Sequence, residues 1–262
     1  MTFLARSDPR YPGRALDLPR PPDPLWFEGD AALLSRDCVA IVGTRRMTPY
    51  GERVARELAI ACAEAGIVVV SGLAQGIDSA AHAGALDARG ETVAVLGEGL
   101  AAFDPHGRRR RLAARIRERG CLVSEFPPLM PAQGWMFAQR DATIAALARC
   151  VVVVEAPHGS GALITARHAV ALGRALYAVP GPLGSPQSAG TNALIASGRA
   201  RAVTGPESLG LVAVAAETSP LLDRLAAGPL SPDALRADPA DVAELLLAGR
   251  IVALPDGRLT RT

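Results

Sequence analysis

Six short apolar runs punctuate the chain: "VAIVG", "IVVVSG", "TVAVLG", "CLVSE", "VVVVE" and "LYAVPG". They end at Gly43, Gly72, Gly97, Glu125, Glu155 and Gly181, so consecutive ends lie 25 to 30 residues apart. Each run is continuously apolar instead of alternating, the pattern of a strand covered on both faces. The interval holds one strand, one helix and two short loops, so the runs are βα units and not a solenoid repeat. Right-handed crossovers between them predict an α/β fold with a doubly wound parallel sheet.

Punctuation between the runs predicts the helices. Thr48 caps and Pro49 opens "PYGERVARELAIACAEAG", with Gly66 at its C-terminal end. Asp78 is placed to cap "SAAHAGALDARG". Residues 1–37, with "SDPRYPGRALDLPRPPDPLWFEGD", are too rich in proline for regular helix. They are expected to run extended over the sheet edge, anchored by Leu25, Trp26 and Phe27. The main domain then covers residues 38–217. Beyond it, 218–262 reads as three short helices and a hairpin turning at Asp256-Gly257, a small winged-helix pattern. Its second helix-turn-helix element, "PADVAELLLAG", carries Asp241 and Glu244 and no arginine, so it is not expected to read a duplex groove.

Composition narrows the chemistry. The chain is 49% hydrophobic but only 4% aromatic, so its core is built from Ala, Val, Leu and Ile. All 28 fixed cations are arginine; with no lysine, a Walker phosphate loop and a Schiff base are excluded. The net charge of +2 does not by itself point to nucleic acid. Cys38, Cys62, Cys121 and Cys150 are scattered among apolar residues with no C-x-x-C pair, which reads as core thiols in a reducing compartment, not a metal site. "MTFLARSDPR" has no apolar signal region and no run reaches a membrane span, so a soluble, cytoplasmic protein is expected.

Ligands of an open parallel sheet sit beyond the carboxyl ends of its strands. There the sequence places Gly43-Thr44-Arg45, Ser71-Gly72, Gly97-Glu98-Gly99 and Gly159-Ser160-Gly161. Tight turns opening helices present backbone N–H groups to anions, and Arg45 adds a forked donor, so phosphate binding is expected. Gly97 to Ala102 matches G-x-G-x-x-A, but Asp104-Pro105 and Gly107 interrupt the helix that a dinucleotide fingerprint needs. A hydrolase would draw on Ser160, on His158 or His168, or on Glu125 or Glu155, yet G-x-S-x-G is missing. Asp78 and His82 share a helix face, too few ligands for a metal. The run "HGRRRRLAARIRERG" sets Arg108 to Arg111 against the dipole of a helix start, which fits either a nearby anion or a solvated face with Arg110 and Arg117 outward. In "GWMFAQRDATIAALARC", Trp135 and Phe137 are expected in a loop before a helix, beside Arg140, where they either stack on bases or cap the core.

Together "IVGTRRMTPYG", "SGLAQGIDSAAHAGAL", "VAVLGEGL", "LVSEFPP", "FAQRDATIAAL", "VVVVEAPHGSGALITARHAVALGRALYAVPG" and "SAGTNALIASG" resemble, in order, the DNA-processing protein A (DprA/Smf) family over about residues 8 to 210. The resemblance implies an extended Rossmann-like domain that binds single-stranded DNA as a homodimer. It further implies protection of incoming DNA and loading of RecA recombinase onto it in natural transformation, with no cofactor and no catalysis. On the matching motifs it implies that Gly43, Thr44 and Arg45 form the phosphate-binding turn; Ser71 and Gly72, at the end of the next strand, are expected to contribute to the DNA site. Arg109 and Arg110 fall at a basic DNA contact, Phe137 and Arg140 in an F-x-x-R segment, and Ser160, Gly161 and Thr165 in an S-G-x-x-I-T turn. The apolar stretch around Leu209 and Leu211 is the family's pointer to a dimer surface. Two departures stand out: Arg140-Asp141-Ala142 replaces R-N-R, and Phe103 to Gly107 with the arginine run replaces Tyr-Pro-x-x-Asn.

Overall fold

In a computed structural model, the proline-rich lead-in forms two strands, β1 (Thr2–Leu4) and β2 (Leu25–Gly29), that pair with each other antiparallel. The model describes residues 2–211, 224–225, 228–235, 237–247 and 251–261. All six apolar runs are strands: β3 (Cys38–Val42), β4 (Val68–Ser71), β5 (Thr92–Leu96), β6 (Cys121–Ser124), β7 (Cys150–Val153) and β8 (Ala175–Ala178). A two-residue strand, β9 (Arg201–Ala202), follows. The sheet order is β1-β2-β6-β5-β4-β3-β7-β8-β9, parallel from β6 to β9. The chain winds outward from β3 to β6 and then returns to β7 on the other side of β3, so the fold is doubly wound and Rossmann-like. Beyond simple resting on the edge, the lead-in hydrogen-bonds to it, with β2 antiparallel to β6.

Alternation along each strand decides which face a side chain covers. Cys38, Ala40 and Val42 of β3 pack with Val151 and Val153 beneath α4 (Gly134–Leu147) and α5 (Ala162–Ala171). Val39 and Ile41 pack with Val69 and Val152 beneath α1 (Pro49–Glu64) and α2 (Ile77–Asp87). A third cluster under α3 (Gly107–Arg119) holds Leu73, Leu96, Leu112 and Ile116. Helix α6 (Ala189–Ala196) follows β8. Leu209, offered above as part of a dimer surface, is only 2% exposed and belongs to the α1–α2 core.

Thr48 caps α1 as expected, its hydroxyl accepting from Gly51 N at 3.1 Å. Helix α2 differs. Its cap is Gly76, at φ +91, where a Cβ would lie 2.3 Å from the Thr44 carbonyl oxygen, so no other residue fits. Asp78 therefore falls inside the first turn and points into the protein. Trp135 and Phe137 also differ: both lie in the first turn of α4 and not in a preceding loop.

The second compact unit begins near Val214. Its described elements are helices Pro232–Leu235 and Pro239–Leu247 and the antiparallel pair Ile251–Ala253 with Leu259–Arg261, closed at Asp256-Gly257. Leu225, Ile251 and Leu259 form its core. Most of the first expected helix lies outside the described residues. No described helix is long and apolar enough to cross a membrane.

The four thiols are buried. Burial pushes Cys38, Cys62 and Cys121 up to about 12 and Cys150 up to about 11. A thiol reagent at pH 8 is therefore expected to label none of them in the native protein and all of them once it is unfolded, since only the thiolate reacts.

Candidate functional site

The loops after β3, β4 and β5 enclose a cleft of about 290 Å³ with α3 and α4. Its lining includes Arg45, Gln75, Arg109, Phe137 and Glu98, together with the buried Gly72 and Arg140. It lies off the switch point between β3 and β7, where an open α/β sheet ordinarily receives its ligand. That crevice is closed by the chain itself. Thr44 N donates to the Glu155 carbonyl at 2.7 Å, and the Glu155 carboxylate accepts from Thr48 N at 2.9 Å and Thr48 Oγ1 at 2.5 Å.

The expected backbone anion hole is also taken. Ala74 N donates to the buried Asp78 carboxyl at 3.4 Å, and the Gly43 and Gly72 backbone also favours its charged form, so an internal carboxyl stands where a phosphate was expected. Burial still holds the Asp78 carboxyl above its ordinary range. Beside it, Arg140 is 4% exposed; its Nη1 donates to the Val95 carbonyl at 3.1 Å and its Nε lies 3.4 Å from Asp141. A Cβ on Gly72 would sit 1.4 Å from Arg140 Nη1, so that glycine makes room for a guanidinium. Ser71 is fully buried and donates to the Ile41 carbonyl at 2.6 Å.

What faces the cleft is side chain. The half-buried Phe137 ring lies over Gly97, where a Cβ would be 2.6 Å from the ring. The Arg45 guanidinium stands 5.6 Å from its centroid and that of Arg140 5.9 Å, so the ring is flanked by two cations. Arg109 is held by its Nε donating to the Leu73 carbonyl at 3.0 Å and by the Phe103 ring at 5.6 Å. Arg110 and Arg117 are both exposed, as expected; Arg110 lines no part of the cleft, and Arg117 pairs with Glu28 at 2.6 Å.

Ser160 and Gly161 stand at the start of α5 and do not line the cleft; Thr165 is buried. Asp141 approaches that turn, its Oδ2 lying 4.0 Å from where a Gly161 Cβ would be. Burial lifts the Asp141 carboxyl to about 6. Trp135 stacks edge-on against Phe126 at 5.7 Å and leaves half its surface exposed. The G-x-G-x-x-A match is not followed by a helix until Gly107. His82 is buried, with Nδ1 2.7 Å from Thr92 Oγ1, and burial lowers it to about 3; no group of metal ligands forms among the described residues.

Neither carboxylate available to a hydrolase is free. Glu125 accepts from Gln139 at 2.6 Å and Thr143 at 2.9 Å. Glu155 is 3% exposed and ties α1 to β7. Glu155→Ala is expected to lower stability by about 1.5–3 kcal/mol through the orphaned Thr48 donors, read as a shift of the denaturation midpoint at unchanged slope.

The sequence pattern of the DNA recombination-mediator protein A family matches residues 2–211. This chain belongs to that family. Among relatives, the Escherichia coli protein Smf is 41% identical over 199 residues, covering 76% of this chain and 53% of its own. The Bacillus subtilis DNA processing protein DprA is 38% identical over 204 residues, covering 78% of this chain and 68% of its own. The chain thus spans about half the length of the E. coli relative. Among solved structures, the Streptococcus pneumoniae DNA processing protein A superposes with a TM-score of 0.75 at 34% identity, covering 80% of this chain and 74% of that one. The Helicobacter pylori protein, which binds single-stranded DNA, gives 0.72 at 30% identity, covering 79% and 93%.

Proposed function

We propose that this chain is a non-enzymatic recombination mediator that grips single-stranded DNA at the cleft between Arg45, Arg109 and Phe137. On this reading it protects incoming DNA and, as a homodimer, delivers it to RecA recombinase during natural transformation. The observation that carries the proposal is the filled anion hole. With a buried carboxyl set against the turn backbone and bonded to Ala74 N, recognition falls to two exposed or half-exposed guanidiniums and an aromatic ring. Such a set suits a strand held by phosphate charge and base stacking without regard to sequence, more than a free nucleotide. Arg140 stands against the ring, its guanidinium 5.9 Å from the centroid, and Arg109, not Arg110, supplies the α3 contact. Residues 218–262 take no part in gripping the strand.

The test is a binding series with single- and double-stranded oligonucleotides at several salt concentrations. Arg45→Ala should weaken all single-stranded sequences about equally. It should also reduce the slope of log affinity against log salt by about 0.7–1, one phosphate contact. Wild-type affinity with an unchanged slope would defeat the reading.

A further inference from the structure

A larger groove opens beside the cleft. It encloses about 660 Å³ between α1, α2 and the start of α3. This is within the range of about 300–1,000 Å³ usual for small-molecule sites. Its floor is apolar, from Met47, Ala80, Ala83 and Leu112. Its rim carries five arginines, Arg56, Arg108, Arg109, Arg111 and Arg115, against the single carboxylate of Glu52. Arg109 and Gln75 line both the groove and the cleft, so the two lie side by side.

The rim is arranged in two ways. Asp87 fixes Arg56 at 2.5 Å and Arg115 at 2.7 Å, so both guanidiniums are held in place before any ligand arrives. Those two pairings hold the Asp87 carboxyl below its ordinary range. Arg108 and Arg111 have no acid partner among the described residues, although Arg108 stands in the first turn of α3, where the helix dipole repels cations, and Arg111 just beyond it. Uncompensated cations at the positive end of a helix, over an apolar floor, are complementary to an anion that carries a flat apolar body.

We propose that this groove is a second nucleotide subsite, in which a base of the bound single strand lies on the Met47–Ala83–Leu112 floor and its flanking phosphates meet Arg108 and Arg111. The inference rests on the single-strand reading above and extends it: the strand leaves the cleft past Arg109 and continues along α3. A base over small aliphatic side chains gains from burial, and charged donors on the rim lose little because they remain in contact with water.

The experiment compares oligothymidylates of about 4 and about 16 nucleotides, a span taken from known single-strand site sizes. The proteins are the full chain, the Arg108→Ala/Arg111→Ala double variant and Ala83→Glu. The short oligonucleotide fills only the cleft. It should bind the double variant within about twofold of wild type. The long one should lose about tenfold or more, with its salt slope reduced by about 1.4, two phosphates' worth for a single strand. Ala83→Glu, which sets a carboxylate on the floor, should repeat the length-selective loss. An Arg53→Ala/Arg119→Ala variant removes the same charge outside both cavities and should bind both lengths like wild type. Equal loss at both lengths, or none at either, overturns the groove and leaves the cleft standing. Salt-insensitive or absent binding by the wild-type chain removes the single-strand reading itself.

Discussion

Replacing Arg140 by methionine is expected to destabilise the protein by about 3–5 kcal/mol near pH 8, the range for breaking a buried ion pair from one side. The side chain is 4% exposed and lies among Asp78, Asp141 and the Val95 carbonyl, all of which would lose their counter-group. The loss should depend on pH in a definite direction. Burial already holds both carboxyls above their ordinary value, Asp141 at about 6 against 3.8. Without the guanidinium both move higher still. A carboxyl raised in the folded state keeps its stabilising proton below the unfolded value and forfeits that contribution as pH climbs through the folded one. The difference between variant and wild type should therefore be small near pH 4 and grow through pH 6 and above. Chemical denaturation at a series of pH values measures it. A constant difference across that window would mean that Arg140 acts through packing alone.

Phe137→Ala is expected to weaken single-strand binding by about 1–3 kcal/mol, roughly 5- to 150-fold, with the salt slope unchanged. The ring is half-buried against Gly97, with the Arg45 and Arg140 guanidiniums 5.6 and 5.9 Å from its centroid, so part of its surface remains exposed to a base. Phe137→Leu separates stacking from filling, since leucine restores most of the volume but no aromatic face. If stacking operates, leucine binds as poorly as alanine. If the ring only fills space, leucine restores wild-type affinity, and alanine lowers the melting temperature while the folded variant still binds.

The sheet was legible because its signal is local and repeated: a continuous valine-rich run at a fixed interval allows little but a buried parallel strand. The Thr48 cap was legible for the same reason, being set by adjacent residues. What could not be read was where buried charge would go. Asp78 carries every mark of a helix cap, and only the positive φ of Gly76, forced by the Thr44 carbonyl, moves the helix start and turns the carboxylate inward. Once the Asp78 carboxyl lies against Gly72 and bonds to Ala74 N, glycine turns that read as phosphate loops become the lining of a buried charge cluster with Arg140 and Asp141. Arg140 follows Asp78 inside. Arg45 and Arg109 stay at the surface, held by an aromatic ring or a carbonyl at sequence distances that no motif specifies. The side-by-side placement of Arg109 and Arg110 hid a real difference, because the helix turns one toward the cleft and the other away from it.

The pairing of β2 with β6 also constrains how the chain is made. Trp26 meets Ser124 and Phe27 meets Val123, so the β1–β2 hairpin, complete early in synthesis, waits for the sixth strand before it can join the parallel sheet. Meanwhile β3 to β5 can pair in order of synthesis, each with its own crossover helix. The lead-in thus closes a loop of high contact order late in folding. Once docked, β1 leaves only three residues at one rim and β9 two at the other, edges too short to recruit strands from neighbouring molecules. A nascent chain is exposed to such recruitment along β6 until the lead-in arrives, which makes the proline-rich segment the intramolecular guard of that edge.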